Sequence, residues 1–136
     1  MNKEINIAQL MIPKVSTIIL NENKSVRQGF EIFRHHGYTA VPVVNNDGEY
    51  LGCVTEGDFL RHIIKINTLD VKEYEKYKIS DIFRRDFCKS IQIDASADEV
   101  IKVSLDQNFI PVTDSRGYFC GIITRRSLII YLSEIK

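Results

Sequence analysis

Residues 42–55, PVVNNDGEYLGCVT, return in altered form as residues 111–124, PVTDSRGYFCGIIT. Pro42 matches Pro111, Val43 matches Val112, Gly48 matches Gly117, Gly52 matches Gly121 and Thr55 matches Thr124, all at an offset of 69. Phe59, Leu60 and Ile63 continue the match as Leu128, Ile129 and Leu132. Upstream the offset slips to 71–73, so the second copy is about two residues shorter before its proline, where the first reads His35-His36-Gly37-Tyr38. Two copies are too few for a solenoid. A chain built this way folds as a pseudo-symmetric pair of like units.

Each copy carries the same order of elements. Val15–Leu20 and Cys88–Ile93 are β-rich runs. Val26, Phe30 and Phe33 then fall at i, i+4 and i+7, the spacing of one helix face, with Ala97, Val100, Ile101 and Ser104 as counterparts. Two strands follow, Tyr38–Val44 and Tyr50–Val54, around the turn Asn45-Asn46-Asp47-Gly48; the second copy has Asp114-Ser115-Arg116-Gly117 there. A last helix starts at Thr55 or Thr124. The predicted class is α/β in the α+β sense, two β-α-β-β-α repeats that bury their sheets together as one core. The boundaries are 7–66 for the first repeat, 67–78 for a linker and 79–133 for the second. The connector Lys65–Lys78 is charged and predicted to be partly helical.

Apolar residues make up 44% of the 136 and charged residues 26%, a globular balance. The formal charge is zero, so nothing indicates a general affinity for nucleic acid or anionic lipid. No apolar run approaches the roughly 20 residues of a membrane span, and MNKEINIAQL lacks a signal-peptide core. Cys53, Cys88 and Cys120 are odd in number and widely spaced, as expected of reduced, buried thiols in a cytoplasmic protein and not of a disulfide frame or a zinc site.

The doubled pattern, apolar–Pro–Val–x–(Asn/Asp)–x–x–Gly and then apolar–Gly–apolar–apolar–Thr–x–x–(Asp/Ser), resembles a tandem pair of CBS domains (a Bateman module) over about residues 7–133. GYTA at 37–40 with ITRR at 123–126 is similar to bacterial stand-alone CBS-pair proteins that bind cyclic di-AMP. The resemblance implies a non-catalytic regulatory module that binds AMP, ADP, ATP or cyclic di-AMP in clefts between its repeats and signals to an effector protein of unknown identity. It implies a disc-like homodimer formed through helices, and an adenine nucleotide as regulatory ligand with no other cofactor. The alternative is a ligand-free structural, dimerisation and interaction module.

Pseudo-twofold symmetry gives two clefts. The first collects Lys14, Ser16, Tyr38, Thr39, Ala40, Thr124, Arg125 and Arg126. The second collects Ser90, Asn108, Phe109, Ile110, Thr55 and Asp58, with Lys89 beside Ser90 and Arg61 near Asp58. Arg125 and Arg126 pose a physical question. Two cations at a helix start face its unpaired N–H groups and partial positive charge, which costs up to about 1 kcal/mol each. A bound phosphate reverses the sign, because guanidinium–phosphate contacts are charge-assisted and contribute about 1.5–3 kcal/mol. Thr124 is placed to cap the helix, and Lys14 adds a third cation. The competing reading makes both arginines solvated, with their stems on apolar surface.

In the family, the Asp of Thr-x-x-Asp accepts both ribose hydroxyls, which implies that role for Asp58 in Thr55-Glu56-Gly57-Asp58. The same four residues also spell a capping box. Glu56 makes the second cleft less welcoming to phosphate. Ser127 stands where the first cleft would need the ribose-binding Asp, which favours a ligand held there by its phosphates. No Ser-His-Asp arrangement or metal-ligand spacing is present. His35-His36 suits a helix C-terminus, His62 stands alone on a helix, and Tyr74 and Tyr77 are placed to pack on the helices, the default, or on a partner.

Overall fold

The computed structural model describes residues 5–37, 39–85 and 87–134. The elements run α1 (Ile7–Leu10), β1 (Ile12–Pro13), a 3-10 turn (Lys14–Ser16), β2 (Leu20–Asn21), α2 (Val26–His36), β3 (Ala40–Val44), β4 (Tyr50–Thr55) and α3 (Glu56–Ile66). Two further 3-10 turns, Val71–Lys76 and Ile79–Asp81, lead to β5 (Ile91–Gln92), α4 (Ala97–Ser104), β6 (Phe109–Thr113), β7 (Phe119–Thr124) and α5 (Arg125–Glu134). The β-α-β-β-α order holds in both repeats. The first strand of each is much shorter than the sequence suggests. Only Leu20-Asn21 and Ile91-Gln92 pair, in parallel, with Val43-Val44 and Val112-Thr113. Ahead of them the Thr17 amide and hydroxyl both donate to the Lys14 carbonyl, closing a turn instead of a strand.

Local chemistry fixes most of the boundaries. Ser25 and Gln28 form a reciprocal capping box at the start of α2, and Gly37, at φ +67°, ends that helix in the left-handed conformation. Ser96 accepts from the Glu99 amide to start α4. The two hairpin turns are built alike: Asn45 Oδ1 accepts from the amides of Asp47 and Glu49, and Asp114 Oδ1 accepts from those of Arg116 and Tyr118. Gly48 and Gly117 both take φ +87°, which a side chain disfavours.

The described residues divide into two compact units that do not follow the repeats. One contains residues 18–85 and 87, the other residues 5–17 and 88–134. Each closes its own core. In the first, Leu20, Val26, Val41, Val43, Val54, Phe59 and Ile79 are buried with Tyr74 from the connector; in the second, Ile7, Val100, Ile110, Val112, Ile123 and Leu128 are buried. Charged as it is, the connector thus contributes a core side chain, and the Tyr74 hydroxyl donates to the Thr68 carbonyl at 2.9 Å.

The division follows from an exchange. The stretch preceding each repeat's first strand lies along the hairpin of the other repeat. Ile12 and Pro13 pair antiparallel with Ile122 and Gly121, giving the sheet order β1-β7-β6-β5. Arg84 makes the equivalent antiparallel bridge to Cys53, beside the sheet β2-β3-β4. The matched glycines 52 and 121 are explained by this crossing. A Cβ on Gly52 would stand 2.7 Å from the Arg84 carbonyl oxygen, and one on Gly121 would collide with the Ile12 carbonyl oxygen.

His62 is a buried polar residue of the 18–87 unit, 6% exposed. Its ring lies 4.6 Å from the Tyr77 ring and 6.0 Å from that of Tyr74, both edge-on. Burial pushes its pKa below the ordinary value, with Asp81 pulling it up and Lys65 pushing it further down.

Two outcomes are expected. Gly52→Ala and Gly121→Ala should each lower stability by about 1–3 kcal/mol through forced overpacking, read as a lower urea midpoint with faster amide exchange around Arg84 or Ile12. His62 binds its proton less readily folded than unfolded, so its contribution is intact above the unfolded value near ~6.5 and is lost as pH falls below it. The urea midpoint of His62→Phe should therefore fall less steeply than that of the native chain between about pH 7 and 5.

Candidate functional site

Both units carry the same piece of architecture, a strand pair that ends at the start of a helix. In the 18–87 unit Ala40 pairs with Thr55, and the Glu56 amide donates to the Thr39 carbonyl at 3.1 Å. In the other unit Phe109 pairs with Thr124, and the Arg125 amide donates to the Asn108 carbonyl at 3.1 Å. The pre-proline segment of each repeat is thus fixed to the head of its own last helix.

The two helix heads differ in chemistry. Thr55 and Asp58 form a full capping box: the Thr55 amide donates to Asp58 Oδ2 at 2.8 Å, and the Asp58 amide to Thr55 Oγ1 at 3.2 Å. The Thr55 hydroxyl also donates to Oδ2, at 3.1 Å. Asp58 Oδ1 accepts from Arg61 Nη2 at 2.5 Å and from Arg84 Nε at 3.1 Å. The carboxylate is 1% exposed and meets four donors. The capping box is legible in the sequence; Arg84 is not singled out there. Its signal is the need of a buried carboxylate for opposite charge. The Arg84 guanidinium also lies 3.9 Å over the Phe87 ring, and Arg85 reaches Glu22 at 3.2 Å.

At the other head Ser127 takes the place of the acid. The Thr124 amide donates to Ser127 Oγ at 3.1 Å and the Ser127 amide to Thr124 Oγ1 at 3.0 Å, a neutral version of the same box. Arg125 does not crowd the helix start. Its Nε donates to the Ser104 carbonyl at 2.8 Å, its Nη2 to the Leu105 carbonyl at 3.1 Å and its Nη1 to Asn108 Oδ1 at 2.8 Å. It reaches the C-terminal end of α4, where unpaired carbonyls and partial negative charge receive a cation. The expectation that Arg125 presents its guanidinium to a phosphate meets a group held by three protein acceptors. Arg126 is exposed in the first turn of α5.

The remaining expected site residues fall as follows. Lys14 and Ser16 are exposed in the 3-10 turn that lies against β7. Ser90 is half-buried, Asn108 exposed and Phe109 half-buried. The Ile110 side chain is 1% exposed and belongs to the core, so backbone is what that position has to offer a ligand. Tyr38 lies outside the described residues. Lys89 is exposed, and its backbone is clamped by Gln107: the Lys89 amide donates to Gln107 Oε1 at 2.6 Å, and Gln107 Nε2 donates to the carbonyls of Lys89 and Phe109 at 2.9 and 3.1 Å. Nothing in the spacing marks Gln107. Preceding this clamp, Cys88 takes φ +72°.

This constellation offers hydrogen bonds and positive charge at helix heads. Among the described residues no three His, Cys, Asp or Glu side chains gather as a metal site. Among the described residues no helix is long and apolar enough to cross a membrane.

Comparison with known proteins agrees with this architecture. The uncharacterized protein MJ1404 of Methanocaldococcus jannaschii is 25% identical over 98% of this chain, which spans a third (33%) of that relative's length. The structure of CbpB in complex with c-di-AMP superposes with a TM-score of 0.86 at 20% identity, covering 97% of this chain and 85% of that one. The structure of CBSX2 in complex with AMP gives 0.74 at 20% identity, covering 95% and 96%. At these identities the two structures show a common fold. The CBS domain model matches residues 7–65 and again 79–134, and the chain therefore belongs to the CBS domain family, as a tandem pair.

Proposed function

We propose that this CBS pair is a non-catalytic sensor of an adenine nucleotide, AMP, ADP, ATP or cyclic di-AMP, acting in the cytoplasm on an effector protein. The observation that carries the reading is the contrast between the two helix heads. A helix start favours an anion through its free N–H groups and dipole. At α5 the cap is built from two hydroxyls, with Arg126 in the same turn and Lys14 in the same unit, so phosphate meets donors and no carboxylate. At α3 the cap is a buried carboxylate, suited to a ribose diol and unsuited to phosphate. Backbone at Thr39–Ala40 and at Asn108–Ile110 supplies donors and acceptors for an adenine edge. CbpB with c-di-AMP and CBSX2 with AMP support the ligand class by likeness of fold.

The hydrogen bonds revise the weight of individual residues. Arg126, Lys14, Ser16 and Thr124 carry the phosphate role, and Arg125 positions the loop before β6 through Asn108. A diol that binds Asp58 must replace the guanidinium groups of Arg61 and Arg84 on Oδ1, which lowers the affinity of a plain nucleoside. A second reading, a structural and dimerisation module without ligand, is favoured by the same fact: Asp58 and Arg125 are both satisfied by protein groups. Dimerisation belongs to either reading. Leu60 and Ile64 on α3 are 58% and 69% exposed, Ile129 on α5 is 65% exposed, and apolar helix faces of this kind are suited to a second copy.

Thermal melting with each of the four nucleotides separates the readings. A ligand at 100 times its dissociation constant adds about 2.7 kcal/mol to stability; a folded protein whose melting temperature moves with none of them is the structural module. For a nucleotide that binds, Arg126→Ala should weaken affinity by roughly tenfold or more, the loss of one charge-assisted contact, measured by calorimetry. Arg125→Ala should lower the melting temperature of the ligand-free protein, because it strips the end of α4. Leu60→Glu with Ile64→Glu should shift a dimer to monomer in light scattering.

A further inference from the structure

A hollow of about 710 Å³ lies in the 18–87 unit along one face of α3. Asp58, Arg61, His62, Lys65 and Ile66 line it from the helix, at the i, i+3, i+4, i+7 and i+8 positions of a single stripe. Tyr77 lines it from the connector, and Asp81 and Ile82 from the 3-10 turn that follows and the residue after it. The volume falls in the range of small-molecule sites, roughly 300–1,000 Å³. We propose that this hollow binds a small anion with a planar or apolar body, a phosphate monoester or a carboxylate.

Four observations carry the assignment. The first is His62. It is 94% buried by its 6% exposure, and its Nε2 has no hydrogen-bond partner among the described residues. A buried polar nitrogen without a partner carries a desolvation cost, which a hydrogen bond to a bound molecule would relieve. The second is charge. Arg61 and Lys65 stand one turn apart at the rim, and both are exposed. Arg61 gives Nη2 to Asp58, out of the five N–H donors a guanidinium carries.

The third is that the acids of the lining are already engaged. Asp58 is matched by Arg61 and Arg84, and Asp81 Oδ2 accepts from the Lys78 amide as the cap of its 3-10 turn. Lys65 is then the cation that no acid of the lining engages among the described contacts. The fourth is the apolar part of the lining: Ile66 beside Lys65 on the helix, with Ile82 and the Tyr77 ring. The hollow shares Asp58 and its ion-pair partner Arg61 with the second nucleotide cleft, and the proposal does not rest on that reading.

The test is a titration of the full chain, followed by the histidine ring signals in NMR, with phenyl phosphate, benzoate and neutral benzamide. The signals of His62 should shift saturably with at least one anion, those of His35 and His36 should not, and benzamide should give no saturable shift. Response to phenyl phosphate alone assigns a phosphate monoester, to benzoate alone a carboxylate, and to both the shared anion chemistry. Lys65→Gln, a change at an exposed position, should raise the dissociation constant by roughly tenfold. Absence of a saturable His62 shift with either anion would overturn the proposal, as would unchanged affinity in Lys65→Gln or equal binding of benzamide. AMP in excess should leave the probe bound; displacement by AMP would make the hollow part of the nucleotide site and overturn its assignment as a separate one.

Discussion

Backbone passing over backbone at two glycines is the constraint on which the rest of the molecule depends. At Gly52 and again at Gly121, the stretch ahead of one repeat lies so close to the hairpin of the other that a methyl group has no room. That contact turns two successive repeats into two interleaved units, each with its own core. It also sets where the site residues fall. Arg84 reaches Asp58 only because its segment runs beside β4, bridged to Cys53. Lys14 and Ser16 sit beside β7, rather than in the repeat that follows them, for the same reason.

Within this frame the two helix heads keep the same threonine cap and differ in chemistry, Glu56, Gly57 and Asp58 at one standing where Arg125, Arg126 and Ser127 stand at the other. The geometry of the cap survives at both. What changes is the charge presented to an incoming group. The acid draws two guanidinium groups into the 18–87 unit, whereas the alcohol draws none. A duplicated fold thus acquires two unlike ends without any change of backbone. The buried imidazole of His62 belongs to the acid-bearing end, one helical turn beyond Asp58, where the connector packs across α3.

Much of the architecture was legible in the sequence, because it is written in short-range chemistry. The hairpin turns follow from Asn45-x-x-Gly48 and Asp114-x-x-Gly117, the helix starts from Thr55 and Thr124, and the helix faces from the spacing of Phe30, Phe33 and Phe59. What was not legible depends on contacts between residues distant along the chain. A β-rich composition at Val15–Leu20 says nothing about the turn that Thr17 closes onto Lys14. Arg125 reads as a helix-start cation until α4 supplies the carbonyls that hold it, 20 and 21 residues away. Gln107 and Arg84 carry no motif at all; each is defined by what it clamps.

The interleaving has a mechanical corollary. A fragment ending at Ile66 would keep its hairpin but lose the strap that lies along Cys53, leaving strand edge bare. The complementary fragment would carry that strap with no hairpin to receive it and would lack Ile12 for its own β7. Such halves are unsuited to life as separate domains, yet each holds the piece the other is missing. Severed in the connector, the protein is better pictured as a buckle than as two beads on a string, and its parts would be drawn to reassemble.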